Sequence, residues 1–311
     1  MLVANELSTF AELRERACDV GPKRVGVVLA DDEVALAAMA DAFRSGMAFP
    51  VLIGEEKHIR EKAESLGLFD LAARAEFVSV HEGAAAHAVK MAREGSIDIL
   101  MKGHLRTDQL LRPVLDKEHG LRNGRLLSDV AFFETRHTDT PRLVGLSDGG
   151  INVAPNLEQK KQIVLNAMDI MHCLGMDRPR IAIMSAIEVV TEAMPSTVDA
   201  HALTQMSLAG EFGEADVFGP LAIDNALFHS AAKAKGISNR VAGNADCLIV
   251  PSVEAGNLLG KAMFLLAGME SGHVVIGART PILIPSRAED AQTKVNTIAL
   301  GVLYAAGCGT N

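Results

Sequence analysis

A hydroxyl and a guanidinium stand side by side at Ser286 and Arg287. They follow the short apolar run Pro281-Ile-Leu-Ile-Pro285 and precede a segment, residues 288 to 307, whose apolar residues recur at helical spacing. A strand that delivers such a pair to the mouth of a helix puts a donor, a fixed positive charge and helix-terminal N–H groups into one small volume. The chemistry this suits is the binding of a phosphate or phosphoryl group. A structural reading stands beside it. Ser286-Arg-Ala-Glu289 also fits an S-x-x-E capping box, in which the serine oxygen accepts from the N3 amide and the glutamate reaches back. On local pattern alone the cap is the commoner explanation.

Other candidates share this ambiguity. His104 and Thr107 lie in a loop and helix start after the apolar stretch ending at Met101, where α/β folds place ligands; Thr107 also suits an N-cap. Asn257 and Lys261 are four residues apart on a segment expected to open a helix after Gly256, so they face one way. A helix start with an exposed lysine explains them equally well. Arg112, taken alone, reads as a solvent-facing helix arginine.

Several chemistries lack their motifs. No G-x-G-x-x-G follows a strand, so the dinucleotide fingerprint is missing. Gly256-Asn-Leu-Leu-Gly260-Lys261-Ala262 has one residue too few between its glycines for a P-loop, and Ala262 where a hydroxyl should hold magnesium. No G-x-S-x-G or H-E-x-x-H occurs, and the histidines show no ligand spacing, so no metal is indicated. Cys18, Cys173, Cys247 and Cys308 form no C-x-x-C pair and read as reduced core or near-surface thiols.

The elements that must position these groups follow from periodicity. Apolar runs at 25–29, 49–53, 98–101, 180–184 and 246–250, each followed by an amphipathic stretch, read as strand-helix repeats with largely parallel sheets. Between residues 126 and 146 the rhythm changes. Two apolar runs, 126–133 and 143–146, flank a polar turn at 135–141, which predicts antiparallel strands. Residues 1 to about 20 are expected to form an amphipathic helix with Leu2, Leu7, Phe10, Leu13 and Ala17 on one face.

At 311 residues the chain exceeds one ordinary core, so two α/β domains are expected. The first takes 1–125 with 277–311 and the second 126–276, the last helix returning to the first. A formal net charge of -9, no Trp and one Tyr argue against a nucleic-acid partner. An anionic small substrate stays compatible, since local arginines act against the global sign. No apolar run reaches the roughly 18 residues of a membrane span, and the N-terminus lacks the pattern of a secretory signal, so a cytoplasmic location is expected.

Five blocks carry a resemblance. They are Lys102-Gly-His-Leu-Arg-Thr-Asp-Gln-Leu-Leu-Arg-Pro113, Gly219-Pro-Leu-Ala-Ile-Asp-Asn225, Val241-Ala-Gly-Asn-Ala-Asp246, Pro251-Ser-Val-Glu-Ala-Gly-Asn257 with Lys261, and Ser286-Arg287. In this order, over residues 95 to 305, the chain resembles the phosphate acetyltransferase and phosphate butyryltransferase family, the short butyryl branch more than the acetyl branch.

The resemblance implies a two-domain fold of the isocitrate/isopropylmalate dehydrogenase type, with the active site in the interdomain cleft. It implies reversible transfer of a short acyl group, butyryl or acetyl, between an acyl phosphate and coenzyme A. Coenzyme A is then a substrate, and no tightly bound cofactor is expected. By the same resemblance Ser286 stabilises the transition state, Arg287 binds the phosphoryl or coenzyme A end, and Arg112 joins them. His104, Thr107, Asn257 and Lys261 would bind substrate. The acetyl branch carries its thiol base seven residues after the serine, where this chain has Thr293. With Glu289 occupied by the capping box, Asp290 is the expected substitute.

A homodimer or higher even assembly is also implied, through the second domain. The helices expected at 157–174 and 256–268 carry more apolar positions than one buried stripe requires. Two alternatives remain. One is a ligand-binding homologue without efficient chemistry, suggested by Thr293. The other is a metal- and NAD-dependent decarboxylating dehydrogenase, which should show a cluster of aspartates that the sequence does not display.

Overall fold

The computed structural model describes residues 6–135, 142–286 and 288–307. Its strands are β1 (Lys23–Val28), β2 (Ala48–Gly54), β3 (Glu76–Ser79), β4 (Ile99–Lys102), β5 (Ser128–Thr135), β6 (Arg142–Ser147), β7 (Arg180–Met184), β8 (Asp216–Leu221), β9 (Cys247–Ile249), β10 (Ser271–Ile276) and β11 (Ile282–Leu283). Its helices are α1 (Phe10–Val20), α2 (Glu33–Arg44), α3 (Glu56–Ser65), α4 (Phe69–Arg74), α5 (Ala84–Arg93), α6 (Thr107–Val114), α7 (Leu157–Cys173), α8 (Pro195–Leu208), α9 (Ile223–Leu227), α10 (His229–Ala234), α11 (Val253–Lys261) and α12 (Ala291–Gly307). The fold is mixed α/β, with mainly parallel strands flanked by helices. The chain divides into two compact units, one of Ala11–Arg125 with Gly272–Asn311, the other of Met1–Phe10 with Leu126–Ser271.

In the unit containing both chain segments Ala11–Arg125 and Gly272–Asn311, the strand order is β3-β2-β1-β4-β11-β10. All these pairings are parallel except β10 with β11. Val25, Val27 and Val28 of β1 and Ile99, Leu100 and Met101 of β4 are fully buried, as expected of parallel strands covered on both faces. α2 and α12 pack together. α2 buries an alanine-rich face, Ala35, Ala38, Ala40 and Ala42 with Leu36 and Met39, while α12 is buried nearly all round. An interior helix of that kind shows little amphipathic pattern.

The register of the parallel strands sets the site. Leu283 of β11 lies opposite Met101 of β4, so Ser286 and His104, each three residues further on, leave the sheet level with one another. β1 pairs with β4 through Val28 and Lys102, which brings Asp31 and Asp32 to the same carboxyl edge.

In the other unit the order is β5-β6-β9-β7-β8. β5 and β6 are antiparallel, as their two apolar runs predict; the rest are parallel. The polar turn joining them lies, but for Thr135, outside the described residues. Phe133, Val144, Leu146, Ala182, Leu221, Leu248 and Val250 form its core with the helices around them.

The N-terminal helix differs from expectation. Phe10, Leu13 and Ala17 are fully buried, but α1 begins only at Phe10; Leu2 lies outside the described residues. Leu7 is buried before the helix, its N–H donating to Leu174 O at 3.0 Å. The helix starts where it does because Glu134 Oε2 of β5 accepts from Phe10 N at 3.1 Å, placing a carboxylate on the positive helix end.

Candidate functional site

β11 ends in a turn that exposes Ser286. Among the described residues its Oγ accepts only a long bond from Ala288 N, 3.4 Å, and its backbone carbonyl accepts from Glu289 N at 3.3 Å. The expected capping box is therefore not formed. Asp290 caps α12 instead, Oδ1 accepting from Thr293 N at 2.8 Å. The reason is distance along the chain: α12 begins at Ala291, so Ser286 lies too far ahead to reach its amides. Thr293 is 4% exposed inside the first helical turn. Arg287 lies outside the described residues.

Released from capping, Glu289 turns inward. Its Oε2 stands 3.5 Å from His273 Nε2 on β10, with side-chain exposures of 15% and 13%. Burial pushes the Glu289 carboxyl up, but the neighbouring His273 and Lys294 charges, with the backbone bond at Ser286, outweigh it and hold it below the usual range. Lys294, 3% exposed, sits 3.5 Å from Asp32 Oδ1, and Asp32 in turn caps α2 by accepting from Ala35 N at 2.7 Å.

On the neighbouring strand end, Lys102 is buried at 6% exposure. Gly103 is required by close approach: a Cβ there would fall 2.3 Å from Leu29 O. That packing lets Gly103 N and His104 N donate to Val28 O and Leu29 O at 2.9 and 2.8 Å. It leaves His104 exposed, with Nδ1 3.5 Å from Asp31 Oδ2. Thr107 is the first residue of α6 rather than its cap; the helix start is closed by Arg106 N donating to Gln109 Oε1 at 3.0 Å. Arg112 lies exposed in the last turn of α6, and its guanidinium makes no hydrogen bond or ion pair among the described residues. Ser286, Asp290, His104, Thr107 and Arg112 thus belong to one compact unit.

Asn257 and Lys261 belong to the other unit, one turn apart and exposed on α11. The helix opens at Val253, earlier than expected, because Ser252 Oγ accepts from Ala255 N at 3.4 Å. Gly256 is instead the point where the helix meets a loop: a Cβ there would lie 2.8 Å from Asp148 O. Asn257 Nδ2 donates to Gly149 O at 3.2 Å, tying α11 to that same loop.

The loop holds a carboxylate that sequence reasoning missed. Asp148 Oδ1 accepts from Gly150 N and Ile151 N at 2.8 and 2.9 Å, and Oδ2 from Asn152 N at 3.1 Å. Burial first, then the Asp129 charge, raise its pKa to about 6 against those hydrogen bonds. The available signal was an aspartate before Gly149-Gly150 at the end of an apolar run.

Two of the motif blocks are held by buried polar contacts. Asp246 Oδ2 and Oδ1 accept from Arg180 Nε and Nη2 at 2.8 and 2.6 Å, and Asp246 sits 3.7 Å from buried Arg142. Asn225, fully buried, accepts from Ala222 N at 3.0 Å through Oδ1, and its carbonyl accepts from Gly243 N at 2.8 Å. The bond from Gly243 N to Asn225 O joins 219–225 to 241–246. Cys18 and Cys247 are free thiols, and burial pushes the Cys247 thiol up. Cys173 is disulfide-bonded, against the expectation of reduced thiols. Among the described residues no group of three His, Cys, Asp or Glu is placed to hold a metal ion, and no helix is long and apolar enough to cross a membrane.

With this geometry in view, similarity to known proteins is informative. The family model described as phosphate acetyl/butaryl transferase matches residues 72–302. Phosphate butyryltransferase of Clostridium beijerinckii is 39% identical over 299 residues, covering 96% of this chain and 98% of that one. Phosphate acetyltransferase of Rhizobium meliloti is 42% identical over 278 residues, 88% of this chain and 86% of its own. The crystal structure of a branched-chain phosphotransacylase from Enterococcus faecalis shares the fold with a TM-score of 0.80 at 27% identity, covering 91% of this chain and 99% of that one. A family match over most of the chain includes the strand ends that carry His104 and Ser286, and the chain belongs to the phosphate acetyl/butaryl transferase family.

Proposed function

We propose that this acyltransferase acts in the cytoplasm and moves a butyryl or acetyl group reversibly between an acyl phosphate and the thiol of coenzyme A, releasing phosphate. The observation that carries the reading is the Ser286 turn: an exposed hydroxyl with one long bond among the described residues, level with His104 beyond the end of the adjacent parallel strand. A hydroxyl not needed for capping is free to meet a ligand.

The chemistry assigns work to each group. The thiol of coenzyme A, pKa ~8.5, must lose its proton to become a nucleophile. Asp290 is the proposed acceptor, exposed at the cap of α12 with one oxygen held by Thr293 N. The thiolate sulfur bonds to the acyl carbon, the bond from that carbon to the phosphate oxygen breaks, and the phosphate departs with its electrons. Ser286 donates to the developing oxyanion, while Arg287 and Arg112 hold the phosphoryl oxygens by charge-assisted bonds. His104, Thr107, Asn257 and Lys261 bind the remainder of the substrates. No covalent enzyme intermediate and no tightly bound cofactor are needed.

The two compact units are read as two domains of the isocitrate/isopropylmalate dehydrogenase type, supported by a mainly parallel set of strands in each. A homodimer or higher even assembly is supported by α11 and the π-helical turn Ala262–Leu266 that continues it, where Leu258, Leu265 and Leu266 are 72%, 59% and 86% exposed. α7, by contrast, buries Ile163, Val164, Ala167, Met168, Ile170 and Met171, so its apolar excess is interior.

The test is incubation with coenzyme A and either butyryl or acetyl phosphate, following thioester formation. Turnover is expected, and the ratio of kcat/KM for the two sets the chain-length preference. Absence of turnover with any short acyl phosphate would leave a ligand-binding homologue.

A further inference from the structure

The carboxylate adjoining the serine turn has a place in the reaction that the capping pattern conceals. Glu289 lies three residues after Ser286, and its backbone N–H donates to Ser286 O at 3.3 Å, so the two residues close one turn. The Glu289 side chain leaves that turn inward and meets His273 Nε2 at 3.5 Å, with both side chains nearly buried. His273 is fixed on β10, where its own N–H donates to Thr297 Oγ1 of α12 at 3.1 Å. Lys294, one turn along α12, adds positive charge on the same side, balanced by Asp32 at 3.5 Å. The turn is therefore anchored to the sheet and to α12 by a side chain that does not cap the helix. Asp290 does that separately.

We propose that Glu289 is a positioning residue: its pairing with His273 pins the turn bearing Ser286 at the edge of the sheet, so that the hydroxyl is held where the acyl group reacts. This rests on the reading that Ser286 meets the reacting group. Neither Glu289 nor His273 touches substrate; each acts through the turn. Small misplacements of a reacting group cost large factors in rate, on the order of 100-fold for about 1 Å.

The experiment compares Glu289→Gln, His273→Gln and the double variant with Ser286→Ala, using the full chain, coenzyme A and the acyl phosphate the wild type prefers. Glu289→Gln is expected to lower kcat by about 10- to 100-fold while KM for coenzyme A stays within about twofold. His273→Gln should show the same split. The double variant should be no worse than the worse single, because both remove one anchor. If Glu289→Gln does not fold, His273→Gln decides, since it leaves the carboxylate and its Lys294 neighbour in place. A fall in melting temperature with kcat per folded molecule unchanged would overturn the proposal, as would losses in the two singles that multiply in the double. Full activity in Ser286→Ala would instead remove the underlying site reading. Loss there, with normal kcat in both anchor variants, would remove this inference alone.

Discussion

Replacing Asp290 by asparagine and by alanine separates two roles that one side chain holds. The structure shows Asp290 Oδ1 accepting from Thr293 N at 2.8 Å. Asparagine presents the same oxygen to that amide and is an equally good N-cap, whereas alanine removes the cap at about 1 kcal/mol. Asp290→Asn should thus keep the wild-type melting temperature, while Asp290→Ala should lower it by roughly 2–4 °C for a unit of this size. Basicity is lost in both. A positioned general base contributes about 10²–10⁴ in rate, and kcat/KM at pH 7 should fall by that order in both variants. At pH 7 only about 3% of a free thiol of pKa ~8.5 is ionised. The deficit should therefore shrink by about 30-fold as the assay pH is raised past 9, where coenzyme A ionises unaided. Thioester formation across pH 6.5–9.5, with calorimetry on the same samples, reads all of these quantities. A full rate in Asp290→Asn at neutral pH would refute the reasoning and leave Asp290 a cap only.

Ser286→Ala should lower kcat/KM by about 10²–10³ and leave the melting temperature nearly unchanged, because among the described residues the hydroxyl makes only a 3.4 Å bond to Ala288 N; normal turnover would remove it from the site. Asp148 titrates at about 6 when folded, above its unfolded value of about 3.9, so its contribution to stability is full below pH 4 and is lost as pH rises through 6. That loss amounts to roughly 3 kcal/mol; urea titrations of wild type and Asp148→Asn at pH 4 to 7 should differ in slope over that window, and parallel profiles would contradict the shift. Light scattering at micromolar concentration should give at least twice the 33.0 kDa chain mass, and a Leu265→Glu, Leu266→Glu variant should move toward one chain; a monomeric wild type would return those leucines to another purpose.

Strands at 25–29, 49–53, 98–101, 180–184 and 246–250 were legible because a strand covered on both faces must be continuously apolar. β3 was harder to place: none of its residues is buried, and Glu76 and Ser79 are exposed. The start of α1 was not legible for a different reason. Leu7 continues the helical stripe, yet the chain is not helical there, and the carboxylate that fixes the first turn comes from Glu134, 124 residues away. Gly256 misled similarly. It reads as the opening of a helix, but its lack of a side chain serves the approach of Asp148 O, which no local pattern reveals.

The candidate site was legible where a residue type is unusual for its position and illegible where two similar residues compete. Ser286 after an apolar run was such a signal, and it stands exposed at the strand end; the division of labour between Glu289 and Asp290 was not. Two adjacent acids precede α12, and the one that caps is set by where the first helical residue falls. Had α12 begun nearer the serine, Ser286 and Glu289 would have closed the box and Asp290 would have been released. Because it begins at Ala291, the roles exchange: Asp290 caps, Glu289 goes to His273, and the serine hydroxyl is left exposed. His273 could not be paired with Glu289 from sequence, since they lie on different elements and the spacing between them belongs to no repeating pattern. The boundary of one helix, fixed by burial of Thr293, Lys294 and Val295, therefore decides which oxygen atoms face solvent at this edge of the sheet.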